Sequence, residues 1–240
     1  RHRTPPIHLP LAGQRPVDAE IRLRMRLGVL NDLQGPRAWH HDARRIDQAP
    51  LHPVDRCPVV RVAHPRVVGV DVDARKVAQL NAGKSYLADV ASEDVMRAVR
   101  AGALTATSDY DVLRACDVIF ICVPTPFDTM RAPDLSFVVG AAEGIGPRLS
   151  RGQLVILQST TYPGTTQEIV QPLLERSGLK AGIDFDLAFC PERIDPGRTD
   201  WTVVNTPKVV GGVTPESTQR AAVVLGALGA ICGALASRRF

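Results

Sequence analysis

The sequence predicts an α/β chain built on a doubly wound, mostly parallel sheet. Three observations carry this prediction. From residue 67 onward, short apolar runs alternate with helical segments. The run DVIFICV (117–123) is apolar without alternation, as a central parallel strand covered on both faces should be. RVVGVDV (66–72) ends a buried run on an acid, Asp71, at the strand end where α/β sheets place their ligands.

The elements follow in order. RVVGVDV is a strand, and ARKVAQLNAG after it a helix ending near Gly83. SEDVMRAVRAG (92–102) reads as a helix with Ser92 as N-cap, acids in its first turn and Gly102 at its close. YDVLRAC makes a short helix, and DVIFICV is the central strand. DLSFVVGAAEGIGPRL is a helix weakened by internal glycines. QLVILQS (153–159) is a second buried strand, followed by a helix over TTQEIVQPLLERSG that stops at Gly178. DFDLAFC and PKVVGG are strands, and PESTQRAAVVLGAL is a helix with Pro215 in its first turn.

Residues 1–66 have another texture. They hold all 6 histidines, 9 of the 19 prolines, and 12 arginines against 6 acids. The prolines interrupt almost every candidate element. Only AEIRLRMRLGVL (19–30) has a stretch for a short helix or strand. Little packed structure is expected here, because the apolar surface is too thin to offset chain entropy. Three readings stay open: a basic disordered arm, a poorly folded extension, or coding sequence read out of frame. GC-rich DNA read out of frame yields Arg, Pro, Ala and His in excess. The chain thus divides into a basic, Pro/His/Arg-rich segment (1–66), a partial Rossmann-like domain (67–228) and a tail (229–240).

Composition bounds the rest. The chain has 240 residues, 45% apolar and 22% charged, which is enough for one large domain or two small ones. No apolar run approaches the roughly 18 residues of a membrane span. RHRTPPIHLPLAG has no sustained apolar core and does not read as a signal peptide. The net charge of +4 comes from residues 1–66, so a nucleic-acid reading would rest on that segment alone. The five cysteines (57, 116, 122, 190 and 232) form no CxxC and are odd in number. They read as small hydrophobes in a reduced, cytoplasmic protein.

Four strand ends carry distinctive chemistry. At the first, Asp71 stands with Asp73 and Arg75; an Asp here can accept both ribose hydroxyls of NAD, or can be a helix N-cap in a solvated charge cluster. At the second, VPTP (123–126), Pro124 and Pro126 stiffen the strand exit, and Thr125 offers a hydroxyl to a ribose or simply sits in a rigid turn. The third, STTYPGTT (159–166), gathers hydroxyls ahead of a helix, as an anion or water site or as an elaborate cap. The fourth, FCPERIDPG (189–197), sets Glu192 just past a buried strand. There it can act as a general base, or form a surface pair with Arg193.

Together, DVDARKV, ICVPTP, STTYPGTT, FCPERIDPG and PKVVGG resemble the NAD-dependent UDP-sugar 6-dehydrogenases, above all the branch acting on UDP-N-acetylhexosamines. The resemblance covers about residues 66–228. It implies oxidation of the sugar C6 alcohol to a carboxylate in two NAD-dependent steps, in polysaccharide biosynthesis. It implies that Asp71 binds the adenosine ribose, with Arg75 nearby, and that Val123, Pro124 and Thr125 line the cofactor. Ser159 and Thr160 would border the nicotinamide, Thr160 helping to position a catalytic water. Glu192 would be the acid/base of thioester hydrolysis, with Arg193 beside the substrate.

The sequence also departs from that family. A GxGxxG loop is expected roughly 20 residues before the ribose acid. Residues 1–66 hold only Gly13, Gly28 and Gly35, never GxG. Both the first strand and the glycine loop are therefore expected to be missing. Cys232, in GAICGALA, does not match the family's GGHC-like nucleophile stretch, and the long helix through which the family forms homodimers is not present. The chain is expected to be the middle of such an enzyme, truncated at both ends and inactive alone. Two other readings stand beside it: a Rossmann-like binding module that pairs with a partner, and a different Rossmann oxidoreductase.

Overall fold

A computed structural model describes residues 26–31, 66–87, 90–126, 133–193, 206–228 and 232–234. Among the described residues, eight strands form one sheet: β1 (Arg26–Asn31), β2 (Arg66–Val70), β3 (Leu104–Thr107), β4 (Val118–Cys122), β5 (Leu154–Leu157), β6 (Asp186–Phe189), β7 (Lys208–Gly212) and β8 (Cys232–Ala234). Their order in space is β3-β2-β1-β4-β5-β6-β7-β8. The pairs are parallel, except that β7 runs antiparallel to β6. The doubly wound α/β class stands.

One expectation is corrected. The first strand is present: β1 lies between β2 and β4, pairing Gly28 with Val68 on one side and with Ile119 on the other. RLGVLN is short and branched enough to fill the central ladder, although the prolines around it obscure that signal. The stretch where a glycine loop belongs, and the rest of residues 1–65, lie outside the described residues.

Strands β4 and β5 are buried on both faces, and alternate side chains go to opposite sides. Ile119, Ile121, Val155 and Leu157 join one core with Val138, Ala141, Ala142 and Ile145 of α3 (Ser136–Ile145) and Leu173 and Leu174 of α4 (Gln171–Glu175). Val118, Phe120, Leu154 and Ile156 join a second core with Ala221, Ala222, Val224 and Leu225 of α5 (Pro215–Ala227). The helix expected over TTQEIVQPLLERSG opens as a π-helical turn (Thr166–Val170) before α4, and Gly178 ends it at φ +85°.

Two further helices flank the β2–β3 end: α1 (Ala74–Asn81) and α2 (Ser92–Arg100). Ser92 is not the N-cap of α2. The cap is Ala91, with no side-chain bond, and Ser92 Oγ accepts the N–H of Ser85. Strand β3, unforeseen in ALTATSD, forms the sheet edge, and the Asn81 side chain covers it. Asn81 donates to the Ala106 carbonyl and accepts the Ala106 N–H, both at 2.8 Å. Among the described residues, no helix is long and apolar enough to cross a membrane.

Candidate functional site

The described residues of the four strand-end motifs lie at or beyond the carboxyl ends of β2, β4, β5 and β6. β2 ends on Val70, and Asp71 follows, 6% exposed. Asp71 Oδ1 accepts the Asp73 N–H at 2.8 Å, which turns the chain into α1. Asp73 caps that helix by accepting the Arg75 N–H at 2.9 Å. The Arg75 guanidinium folds back onto Asp73, at 3.1 and 2.9 Å, and holds its carboxyl down at about 2. Arg75 therefore partners Asp73 rather than Asp71. The cation beside Asp71 is Lys76, nearly buried, with Nζ 3.9 Å from Oδ2 and 5.8 Å from the centre of the Tyr86 ring.

The exits of β4 and β5 are tied to each other. Ser159 Oγ accepts the Val123 N–H at 2.9 Å and donates to the Val123 carbonyl at 2.7 Å. Thr125 Oγ1 donates to the Thr160 carbonyl at 2.7 Å. Pro124 and Pro126, which carry no N–H, leave these side-chain bonds to close the gap between the strands. Val123–Thr125 and Ser159–Thr160 therefore form one rigid ledge. The Thr125 hydroxyl, read from the sequence as a ribose contact, serves that ledge. Ser159 is buried within it, and Thr160 is exposed on top.

Past β6, Glu192 is the focus of a polar cluster. Lys208, the first residue of β7, sets Nζ at 2.9 and 3.0 Å from its two carboxylate oxygens. The Lys208 side chain is 2% exposed, that of Glu192 38%. Gln158 Nε2 donates to Oε2 at 2.7 Å, and the Glu192 N–H donates to the Gln158 carbonyl at 3.2 Å. The Arg193 N–H donates to Oε1 at 2.7 Å, so Arg193 contributes its backbone here. The Cys122 thiol donates to Gln158 Oε1 at 3.3 Å. Burial pushes that thiol up to about 12, and the nearby Glu192 charge adds to the rise.

The sequence reading missed Lys76, Gln158, Cys122 and Lys208. Lys208 was within reach: a lysine opening an apolar strand is buried only with a partner. Together the strand ends present a carboxylate suited to a vicinal diol at β2, a ledge of backbone and hydroxyl groups at β4 and β5, and an oriented carboxylate at β6. That series suits an extended ligand carrying a sugar, with a proton acceptor at its far end.

Residues 57–227 match the UDP-glucose/GDP-mannose dehydrogenase family, NAD binding domain. UDP-N-acetyl-D-mannosamine dehydrogenase of Yersinia pestis is 38% identical over 167 residues, which cover 66% of this chain and 39% of that protein. UDP-N-acetyl-D-glucosamine 6-dehydrogenase of Pseudomonas aeruginosa is 40% identical over 151 residues, or 62% of this chain and 35% of that one. In structure, NDP-N-acetyl-D-galactosaminuronic acid dehydrogenase of Methanosarcina mazei Go1 superposes with a TM-score of 0.69 at 27% identity, over 88% of this chain and 43% of that one. UDP-D-ManNAc dehydrogenase of Pyrococcus horikoshii gives 0.66 at 30% identity, over 70% and 40%. The chain thus spans between a third and a half of the length of these relatives.

Proposed function

This chain belongs to the UDP-glucose/GDP-mannose dehydrogenase family, whose NAD-binding domain it carries, and from that premise we propose that it is the cofactor half of an NAD-dependent UDP-sugar 6-dehydrogenase. The substrate is a UDP-N-acetylhexosamine, whose C6 alcohol is oxidised to the carboxylate. The names of the relatives above support that choice over UDP-glucose. The single observation that carries the reading is the convergence of Asp71, Val123–Thr125, Ser159–Thr160 and Glu192 on the carboxyl ends of one sheet.

The donor set suits NAD. Asp71 accepts the two hydroxyls of the adenosine ribose, and Lys76 beside it donates to the same diol. A carboxylate at that point repels a 2′-phosphate, which selects NAD over NADP. Val72, 71% exposed next to Asp71, offers apolar surface for an adenine ring to cover. The ledge of Val123, Pro124, Thr125 and Ser159 supports the nicotinamide end, and its hydrogen bonds hold that surface fixed. Bound NAD supplies the hydride acceptor. Thr160 holds a water at the reacting carbon, and Glu192 takes that water's proton when the acyl intermediate is hydrolysed. Arg193, next to Glu192, would take part in holding the sugar.

The 240 residues do not complete this chemistry alone. None of their five cysteines stands in a GGHC-like stretch, and covalent catalysis needs such a thiol. The buried Cys116 and Cys190 and the high Cys122 thiol suit the reduced cytoplasm. The test is NADH formation by the full chain with UDP-N-acetylglucosamine and UDP-N-acetylmannosamine. No NADH is expected from the chain alone, and a single turnover with any UDP-hexose would refute its incompleteness.

A further inference from the structure

We propose that Lys208 is the positioning residue of Glu192, with Gln158 as a second arm held in place by the Cys122 thiol. The inference deepens the reading of Glu192 as proton acceptor and rests on it.

The topology puts Lys208 there. β7 runs antiparallel to β6, pairing Phe189 with Gly211. The start of β7 therefore returns level with the chain just past β6, where Glu192 stands. Lys208 is 2% exposed and spans both carboxylate oxygens, at 2.9 and 3.0 Å. An ammonium so buried is tolerated only with an anion on it, so the pair fixes where the Glu192 charge sits.

Gln158 removes the remaining freedom. Its Nε2 donates to Oε2 at 2.7 Å. A glutamine amide can flip, and flipped it would turn its oxygen on the carboxylate. The carboxylate itself repels the flipped oxygen, and the Cys122 thiol adds to this by donating to Gln158 Oε1 at 3.3 Å. That donor needs the thiol protonated, and burial holds it so, at about 12. The Arg193 N–H donates to Oε1 at 2.7 Å. Lysine, glutamine and backbone all donate, so Glu192 is held as an acceptor with its carboxylate plane set. Its side chain is 38% exposed. Lys208 acts through Glu192 and is not itself assigned to the reacting atoms.

The test uses the full chain labelled with ¹³C at the Glu carboxyl carbons, and needs neither NAD nor sugar. A failure of the dehydrogenase reading therefore leaves its outcome unchanged, and its own failure leaves that reading standing. The Glu192 signal is the one lost in Glu192→Gln. Lys208→Met is expected to shift it, and Lys208→Arg to restore it, because a cation then still spans the carboxylate. In thermal melts, Glu192→Gln is expected to lower Tm more than Lys208→Met, since it strands the more deeply buried charge. The double variant Lys208→Met/Glu192→Gln is expected to recover part of that loss. An unmoved Glu192 signal in Lys208→Met, or single losses that simply add in the double variant, overturns the proposal. Should Lys208→Met not fold, Gln158→Leu must move the signal while Lys208→Arg leaves it in place; the reverse overturns the proposal equally.

Discussion

Asp71 and its neighbours show how far single residues speak for themselves. Asp71 was legible because it ends an apolar strand and precedes a helix. Its cation was not. Arg75 and Lys76 are adjacent in the sequence, and only the turn made by Asp73 decides which of them faces Asp71. Hydrogen bonds to a charged group are worth about 1.5–3 kcal/mol. Asp71→Ala is therefore expected to weaken NAD binding about tenfold to a hundredfold, as measured by calorimetry, and to lower Tm as well, because it removes the anion beside the nearly buried Lys76 and the acceptor of the Asp73 N–H. Asp73 supplies a pH prediction. Its carboxyl is lowered from 3.8 to about 2 by the Arg75 side chain and the cap it accepts from the Arg75 N–H. A depressed folded value means the cap's contribution is full above the unfolded value and disappears as pH falls through about 2. The Arg75 amide resonance should accordingly hold its position through pH 4 and move only below it.

Among the elements, runs of buried branched residues were readable, and those whose pattern is set by packing were not. β4 and β5 appear as VIFIC and LVIL, apolar without alternation, and both faces are indeed covered. β3 reads LTAT, which has too little apolar content to stand out; it is held by its pairing with β2 and by Asn81. The antiparallel sense of β7 was equally hidden, because direction leaves no mark on PKVVGG. Yet that reversal brings Lys208 to Glu192. It is held by close packing of β7 on α5: a Cβ on Gly212 would lie 2.4 Å from the Thr218 nitrogen. Gly212→Ala must push strand and helix apart, and overpacking of this kind costs about 1–3 kcal/mol. Chemical denaturation should show that loss. Because α5 carries the backbone that holds β7, the Glu192 carboxyl signal should shift as well.

For the whole molecule, the question is whether the sheet is complete enough to bind across its carboxyl ends. The sequence argued against it, since prolines and arginines crowd residues 1–66 and no GxG occurs there. The ladder answers differently at one point: β1 pairs with β2 and β4 in register over five residues on each side. A six-residue strand leaves little periodicity to detect among nine prolines, which is why AEIRLRMRLGVL read only as a stretch for a helix or strand. With β1 in place, Asp71 at one end and Glu192 at the other share a single platform, and the family match over 57–227 takes in strands β2 to β7 of it.

The most direct test of the central claim is an amide NMR titration of the full chain with NAD. Shifts are expected at the exits of β2, β4 and β5, on Asp71, Val72, Val123, Thr125, Ser159 and Thr160, with saturation at NAD well before NADP. The missing GxG puts the expected affinity below that of a complete dinucleotide site, at about millimolar. Shifts confined to the opposite edge of the sheet, equal response to NAD and NADP, or no response at tens of millimolar would contradict the account.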